Sequence, residues 1–398
     1  MHTILRAVKR NKMLEMVYLL MLFLSLHSYL PLFINSSFLN KFASDRTIGF
    51  LYTAGSILSI FFYIYFPKII RSLGNYKTML FAIFGEALCV TGLIFGNSFA
   101  TIAVAFIAQQ AILSVLFLNL DEFLEKYSQS KTSTENPNMG KIHALYFTMG
   151  NFALICTPFI SGLLITTDSD YWKIFALAGV ALIPMLLLLR VEFKTFKDLP
   201  YNDIRLIETI RSTWKTKDLR NITIANFFLQ FFYAWMVIYT PVYLHEHIGM
   251  SWAAIGIVFS IMLIPFLIFE LPVGWLADNV LGEKEMLIVG FIIIAFSSMA
   301  LAFPTTTGVA VWAILLFLTR TGASIVEICT ESYFFKKIKP EESNKISLFR
   351  MMRPVSYIIT PIIVSTTLLV TNLGHGFLVL GACMIGAVYF ALHIRDTL

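Results

Sequence analysis

The chain has 398 residues, of which 58% are hydrophobic and only 14% charged, with 37 phenylalanines and a formal net charge of +6. Its mean hydropathy is +0.76. Soluble domains carry about 25% charged residues, so this composition excludes an ordinary water-soluble enzyme and points to a helical integral membrane protein.

Read in chain order, twelve apolar stretches reach the roughly 20 residues that a helix needs to cross hydrocarbon. They fall at 13–38, 47–70, 78–95, 99–126, 142–167, 171–190, 220–245, 251–275, 285–303, 308–335, 343–370 and 376–394. The first follows basic residues, as a signal peptide would. It is too long for one and lacks a small-residue cleavage site, so it reads as a retained span. Lys and Arg alternate in density between the connecting segments. Arg6, Lys9, Lys12, Lys68, Arg71, Lys77, Lys126, Lys141, the 190–220 stretch, Lys284, Lys336, Lys337 and Arg395 share one side; Lys41, Arg46 and Lys173 share the other. The positive-inside rule places the rich side, and with it both termini, in the cytoplasm of a cell membrane. The charge excess is spread over many loops, which argues against nucleic-acid binding.

The chain repeats itself. Tyr29-Leu30-Pro31 returns as Tyr239-Thr240-Pro241, 210 residues on (239 − 29). Gly49 and Met79-Leu80 return as Gly256 and Met286-Leu287; Asp121, Phe123 and Lys126 as Glu331, Tyr333 and Lys336; Lys141-Ile142 and Thr157-Pro158 as Lys345-Ile346 and Thr360-Pro361. Four matches in chain order at nearly constant spacing define two copies of one unit: a first half 1–197, a linker 198–219 and a second half 220–398. Within the linker, Ile204, Ile207, Ile210 and Trp214 alternate with Arg205, Arg211 and Lys215 after a start at Asn202 and Asp203. This pattern predicts a basic amphipathic helix on the membrane surface, in contact with lipid.

After the eighth span comes Gly274-Trp275-Leu276-Ala277-Asp278-Asn279-Val280-Leu281-Gly282-Glu283-Lys284. Together with the six-plus-six organisation, this stretch resembles the cytoplasmic loop signature of the Major Facilitator Superfamily, across essentially the whole chain. It departs by one extra residue between Asp278 and Gly282 and by Glu283 in place of a basic residue. The first copy is more eroded, with Pro67 for the first Gly, Arg71 for the Asp, and Gly74 and Lys77 kept. The resemblance implies an all-α fold of two six-helix bundles related by a pseudo-two-fold axis. It also implies a monomeric secondary transporter whose first, fourth, seventh and tenth spans line a central path. Asp278, and Glu270 one turn before the loop, then become gate candidates.

Charges within spans are costly and face cavities or partners. On the tenth span Arg320, Ser324, Glu327 and Glu331 fall on one helical line. The eleventh answers with Arg350, Arg353 and Tyr357. Salt bridges between these spans, with Asp121 from the first copy, suit a gate. Arg320 lies too deep for that cluster and is expected to meet substrate. So are Gln110 (the copy-equivalent of Arg320), His27 on the first span, and Asn226, Gln230 and Tyr233 on one face of the seventh. Glu327 and Glu331 are the expected proton carriers. Glu86 has no evident partner, and His245 and His247 read as an exposed loop. No Gly-rich phosphate loop, metal-ligand spacing or nucleophile triad is present, so neither an enzyme nor a cofactor is expected. The expected function is solute transport by alternating access, coupled to protons, of an amphipathic compound, sugar or organic anion. A uniporter, or a scaffold or receptor of the same fold, is the alternative.

Overall fold

The computed structural model describes residues 2–128, 139–198, 206–338 and 343–395. The first half consists of α1 (His2–Tyr29), α2 (Asn35–Asn40), α3 (Asp45–Leu73), α4 (Asn75–Phe95), α5 (Phe99–Ser128), α6 (Met139–Leu164) and α7 (Tyr171–Glu192). The linker helix is α8 (Leu206–Lys215). The second half follows as α9 (Lys217–Ile238), α10 (Thr240–Val242), α11 (Trp252–Ile268), α12 (Glu270–Leu276), α13 (Gly282–Ala300), α14 (Val309–Lys337), α15 (Ser343–Arg350), α16 (Met352–Thr367) and α17 (Leu373–Leu392). Several predicted spans are thus broken helices: α1 with α2, α9 with α10, α11 with α12, and α15 with α16.

The breaks have chemical causes, and they repeat. Pro31 and Pro241 lack an N–H and crowd the preceding turn, so α1 stops at Tyr29 and α9 at Ile238. Gly74 and Gly282 turn the chain into α4 and α13 with φ of 80° and 77°, a region open only to glycine. The extra residue between Asp278 and Gly282 has a place as well. Ala277–Leu281 forms a π-helical turn, and such a turn absorbs one inserted residue without breaking the helix.

Among the described residues nine stretches are long and apolar enough to cross a membrane, one of which, Trp252–Ala300, takes in both α11 and α13. The α1 span and the interrupted α15–α16 pair complete twelve. Residues such as Leu88, Val104 and Phe296, 74%, 69% and 63% exposed, form the lipid-facing surface. On α8 the apolar Ile207, Ile210 and Trp214 point away from the protein while Thr209 and Thr213 are buried against it. That orientation suits a membrane surface; the predicted start at Asn202 and Asp203 lies outside the described residues.

The halves meet most closely on the face opposite the termini. Gly162 of α6 and Gly256 of α11 pass so near that a Cβ on either would lie 2.6 Å from a backbone oxygen of the other half, Trp252 O or Pro158 O respectively. Gly49 of α3 packs likewise on Pro361 of α16. Ser260 Oγ donates to Ile155 O (3.0 Å), and Tyr171 meets Trp252 edge-on at 5.7 Å. His245 is no exposed loop residue: it sits in a π-helical turn, Tyr243–His247, and its Nε2 lies 3.2 Å from Asp168 Oδ1 across the divide.

Candidate functional site

Toward the face that carries the termini, the charges of α14, α15 and α16 stand between the halves. Arg353 is exposed to solvent, yet Tyr357 of the second half bonds it and Tyr29 and Tyr63 of the first lie near enough to act on it electrostatically. An exposed side chain with groups of both halves beside it marks a solvent-accessible cleft between them.

The cleft is graded in depth. At its mouth Arg350 grips Glu331 with two bonds, Nη1 to Oε1 at 2.7 Å and Nη2 to Oε2 at 3.4 Å. Asp121 of α5 stands across from Arg350 and accepts 2.9 Å from Tyr146 Oη. One turn deeper, Tyr233 Oη donates to Glu327 Oε2 at 2.9 Å. Deepest is Arg320, 2% exposed, with its guanidinium 5.2 Å from the ring centres of both Phe232 and Tyr233. Its Nε and Nη2 have no hydrogen-bond partner among the described residues. Desolvated cation–π contacts contribute about 2 kcal/mol each, whereas each buried N–H left unbonded costs about 1–3 kcal/mol. The rings therefore offset much of the burial of Arg320, and the two orphan donors remain a cost that an acceptor would remove.

The other predicted residues are placed elsewhere. His27 is not in the cleft. Buried between α1, α4 and α7, it bonds Ala178 O through Nδ1 (2.8 Å) and Glu86 Oε1 through Nε2 (3.0 Å). This pair supplies the partner that Glu86 lacked in the sequence; Gln109 stands beside it. A cation-capable ring facing a carboxylate inside one bundle lowers the cost of burying both, which is why His27 turns from the path. Asn226 gives its amide to Phe349 O at 3.0 Å, and Gln230 reaches Asn226 Oδ1 at 3.4 Å. These two tie down the break before α16 and so position Arg350. Ser324 spends its hydroxyl on Thr321 O of its own helix (2.9 Å). Gln110 packs against Gly55 within the first half. The side chains of Glu270 and Asp278 lie outside the described residues.

Sequence reasoning missed the tyrosines Tyr29, Tyr63 and Tyr146. Their signal was faint: Tyr29 opens the repeated motif, and Tyr146 lies 25 residues from its partner. It also missed the role of Glu283. In the first turn of α13 this buried carboxylate accepts from Ser332 and pairs with Lys336, both on α14. The acid at the loop's basic position thus pairs with a base on the neighbouring helix. A separate cavity of about 520 Å³, walled by Phe38, Phe95, Tyr171 and Trp172, lies on the opposite face within the first half and touches none of the cleft charges. All four cysteines are free, and the described residues hold no cluster of metal ligands.

Two helical bundles with a charged cleft between them, in an all-helical membrane protein, define a membrane transporter. The family profile described as Major Facilitator Superfamily matches residues 16–361 and again 224–396. The chain belongs to that superfamily, and it is not an enzyme. Its fold is similar to the crystal structure of nucleoside transporter NupG, at TM-score 0.75 and 12% identity over 96% of this chain and 98% of that one. It is similar to an auto-inhibited POT family peptide transporter at TM-score 0.76 and 10% identity, covering 97% and 98%. A bacterial homolog of the human lysosomal transporter Spinster, inward-facing and unoccupied, aligns at 0.67 and 10%, covering 96% and 95%. At such identities the likeness concerns the fold alone. No curated protein sequence matches the chain.

Proposed function

We propose that this transporter is a secondary carrier that moves a small solute by alternating access, coupled to protons, with Glu327 as the proton-carrying group. The observation that carries the reading is the Arg320–Tyr233–Glu327 row. A buried cation and a carboxylate two turns apart on α14 share one tyrosine, so a change of charge on Glu327 is felt directly at the bottom of the cleft. The dense Lys and Arg side supports a cytoplasmic location for both termini, and hence a cleft open to the cytoplasm. In this reading Arg350 is the gate. It holds Glu331 while the cleft is open and meets Asp121 of the other half on closure.

The test is Glu327→Gln in proteoliposomes with an imposed pH gradient. Proton-driven accumulation should fall at least tenfold while exchange of solute for solute persists. Accumulation at the wild-type level would refute the assignment. A uniporter draws support from the bidentate Glu331–Arg350 pair, which serves a gate without any proton. Flux indifferent to the pH gradient would favour it.

A further inference from the structure

The orphan atoms of Arg320 are not a random pair. Nε and Nη2 form the side-on fork of the guanidinium, the edge whose two parallel N–H bonds match the two oxygens of a carboxylate. Both are buried and without a partner, although Glu327, Glu331 and Asp121 all lie in the same cleft. Those three acids are otherwise engaged: Glu331 on Arg350, Asp121 on Tyr146, Glu327 on Tyr233. The fork is thus kept for an acceptor that the cleft residues do not supply. Its walls are the rings of Phe232 and Tyr233, with Tyr357 next to them.

We propose that the substrate is a small organic monocarboxylate, preferably one bearing a flat or aromatic group, seated on the Arg320 fork and carried with one proton. The charge balance sets the stoichiometry. Arg320, Arg350 and Arg353 face Asp121, Glu327 and Glu331, three against three, with Glu125 one turn nearer the end of α5 and outside the count, so these six groups sum to zero. One added anion stays neutral only if one carboxylate takes up a proton. Glu327 is the group placed to do so, and this step rests on the reading proposed above. Protonation also weakens the acceptor that tethers Tyr233, whose ring covers Arg320. Proton arrival therefore loosens the ring that lies against the guanidinium, and the anion follows the proton.

Carboxylate recognition is tested on purified protein in detergent, where no gradient exists and coupling plays no part. Thermal shifts are compared for 4-hydroxybenzoate against 4-hydroxybenzamide and for lactate against lactamide. At least one acid should bind the wild type roughly tenfold more tightly than its amide, the order expected when a paired-ion bidentate contact replaces a neutral one. Arg320→Gln should erase the difference. Arg320→Lys keeps the charge, guards against simple misfolding, and should lose most of the preference with the fork. Tyr233→Phe should keep the preference but flatten its pH profile, which a purely structural tyrosine would not do. Equal shifts for acid and amide on the wild type, or a preference that survives Arg320→Gln, would overturn the carboxylate assignment whatever becomes of Glu327. The one-proton stoichiometry is read separately: proteoliposome uptake of the preferred acid should be the same at clamped potentials of either sign. A potential-dependent flux would overturn it and leave the recognition result standing.

Discussion

Single residues in this chain differ sharply in how much freedom they have. Gly282 turns the chain at φ 77°, ψ 158°, where a Cβ is strained whatever space surrounds it. Gly386, on the lipid-facing side of α17, would meet nothing within 4 Å. Gly282→Ala should therefore lose roughly 1–3 kcal/mol of stability. Gly386→Ala should gain about 0.5–1 kcal/mol by removing a mid-helix glycine. Detergent-resistance or chemical denaturation of the two variants side by side checks both. Equal responses would mean that backbone conformation is not what holds Gly282. The same contrast governs Arg320 and His27. Each is a cation-capable group in apolar surroundings, but His27 has both nitrogens bonded and Arg320 has two donors left over.

At the level of helices, the α6–α11 crossing is the tightest joint between the halves, because backbone meets backbone there. Gly256→Ala would place a methyl group 2.6 Å from Pro158 O, and neither chain can turn a rotamer to escape. The expected result is a fold that survives and a contact that opens. Spin labels at Lys173 and Glu246 should give a longer distance distribution in Gly256→Ala than in the parent. An unchanged distribution would show that the joint has slack. The helix plan was legible in the sequence because its punctuation is local: Pro31 and Pro241 stop helices at equivalent points, and Gly74 and Gly282 turn them. The facing of helices was not. Helical spacing put Arg320 and Glu327 on one line, and Tyr233 on one face with Asn226 and Gln230. It could not show that His27 looks toward Glu86, 59 residues away on another helix. Nor could it find the role of Asn226, expected at the substrate path, because its partner is a backbone carbonyl that leaves no trace in residue type.

For the molecule as a whole, the two halves share a scaffold but not a chemistry. The second half supplies Arg320, Glu327, Glu331, Arg350 and Arg353; the first answers with Asp121 and a set of tyrosines. Across the opposite face, among the described residues, His245 meets Asp168 between the halves at 3.2 Å, the carboxylate side chain being 62% exposed. Pairs of this kind contribute about 0.2–1 kcal/mol. Asp168→Asn should therefore move the open–closed balance by no more than about fivefold, less than Gly256→Ala, in the same distance measurement. A larger shift would make the His245–Asp168 contact, and not the glycine crossing, the main lock. The glycine crossing also has a mechanical meaning. Gly162 lies near one end of α6, and at 1.5 Å per residue the other end, at Met139, is roughly 34 Å away. With the crossing as fulcrum and α6 as lever arm, a rocking of about 10° carries the far tip through about 6 Å. That is about the reach of one side chain, so under the proposed gating a small rotation at two glycines is amplified into the meeting or parting of Asp121 and Arg350.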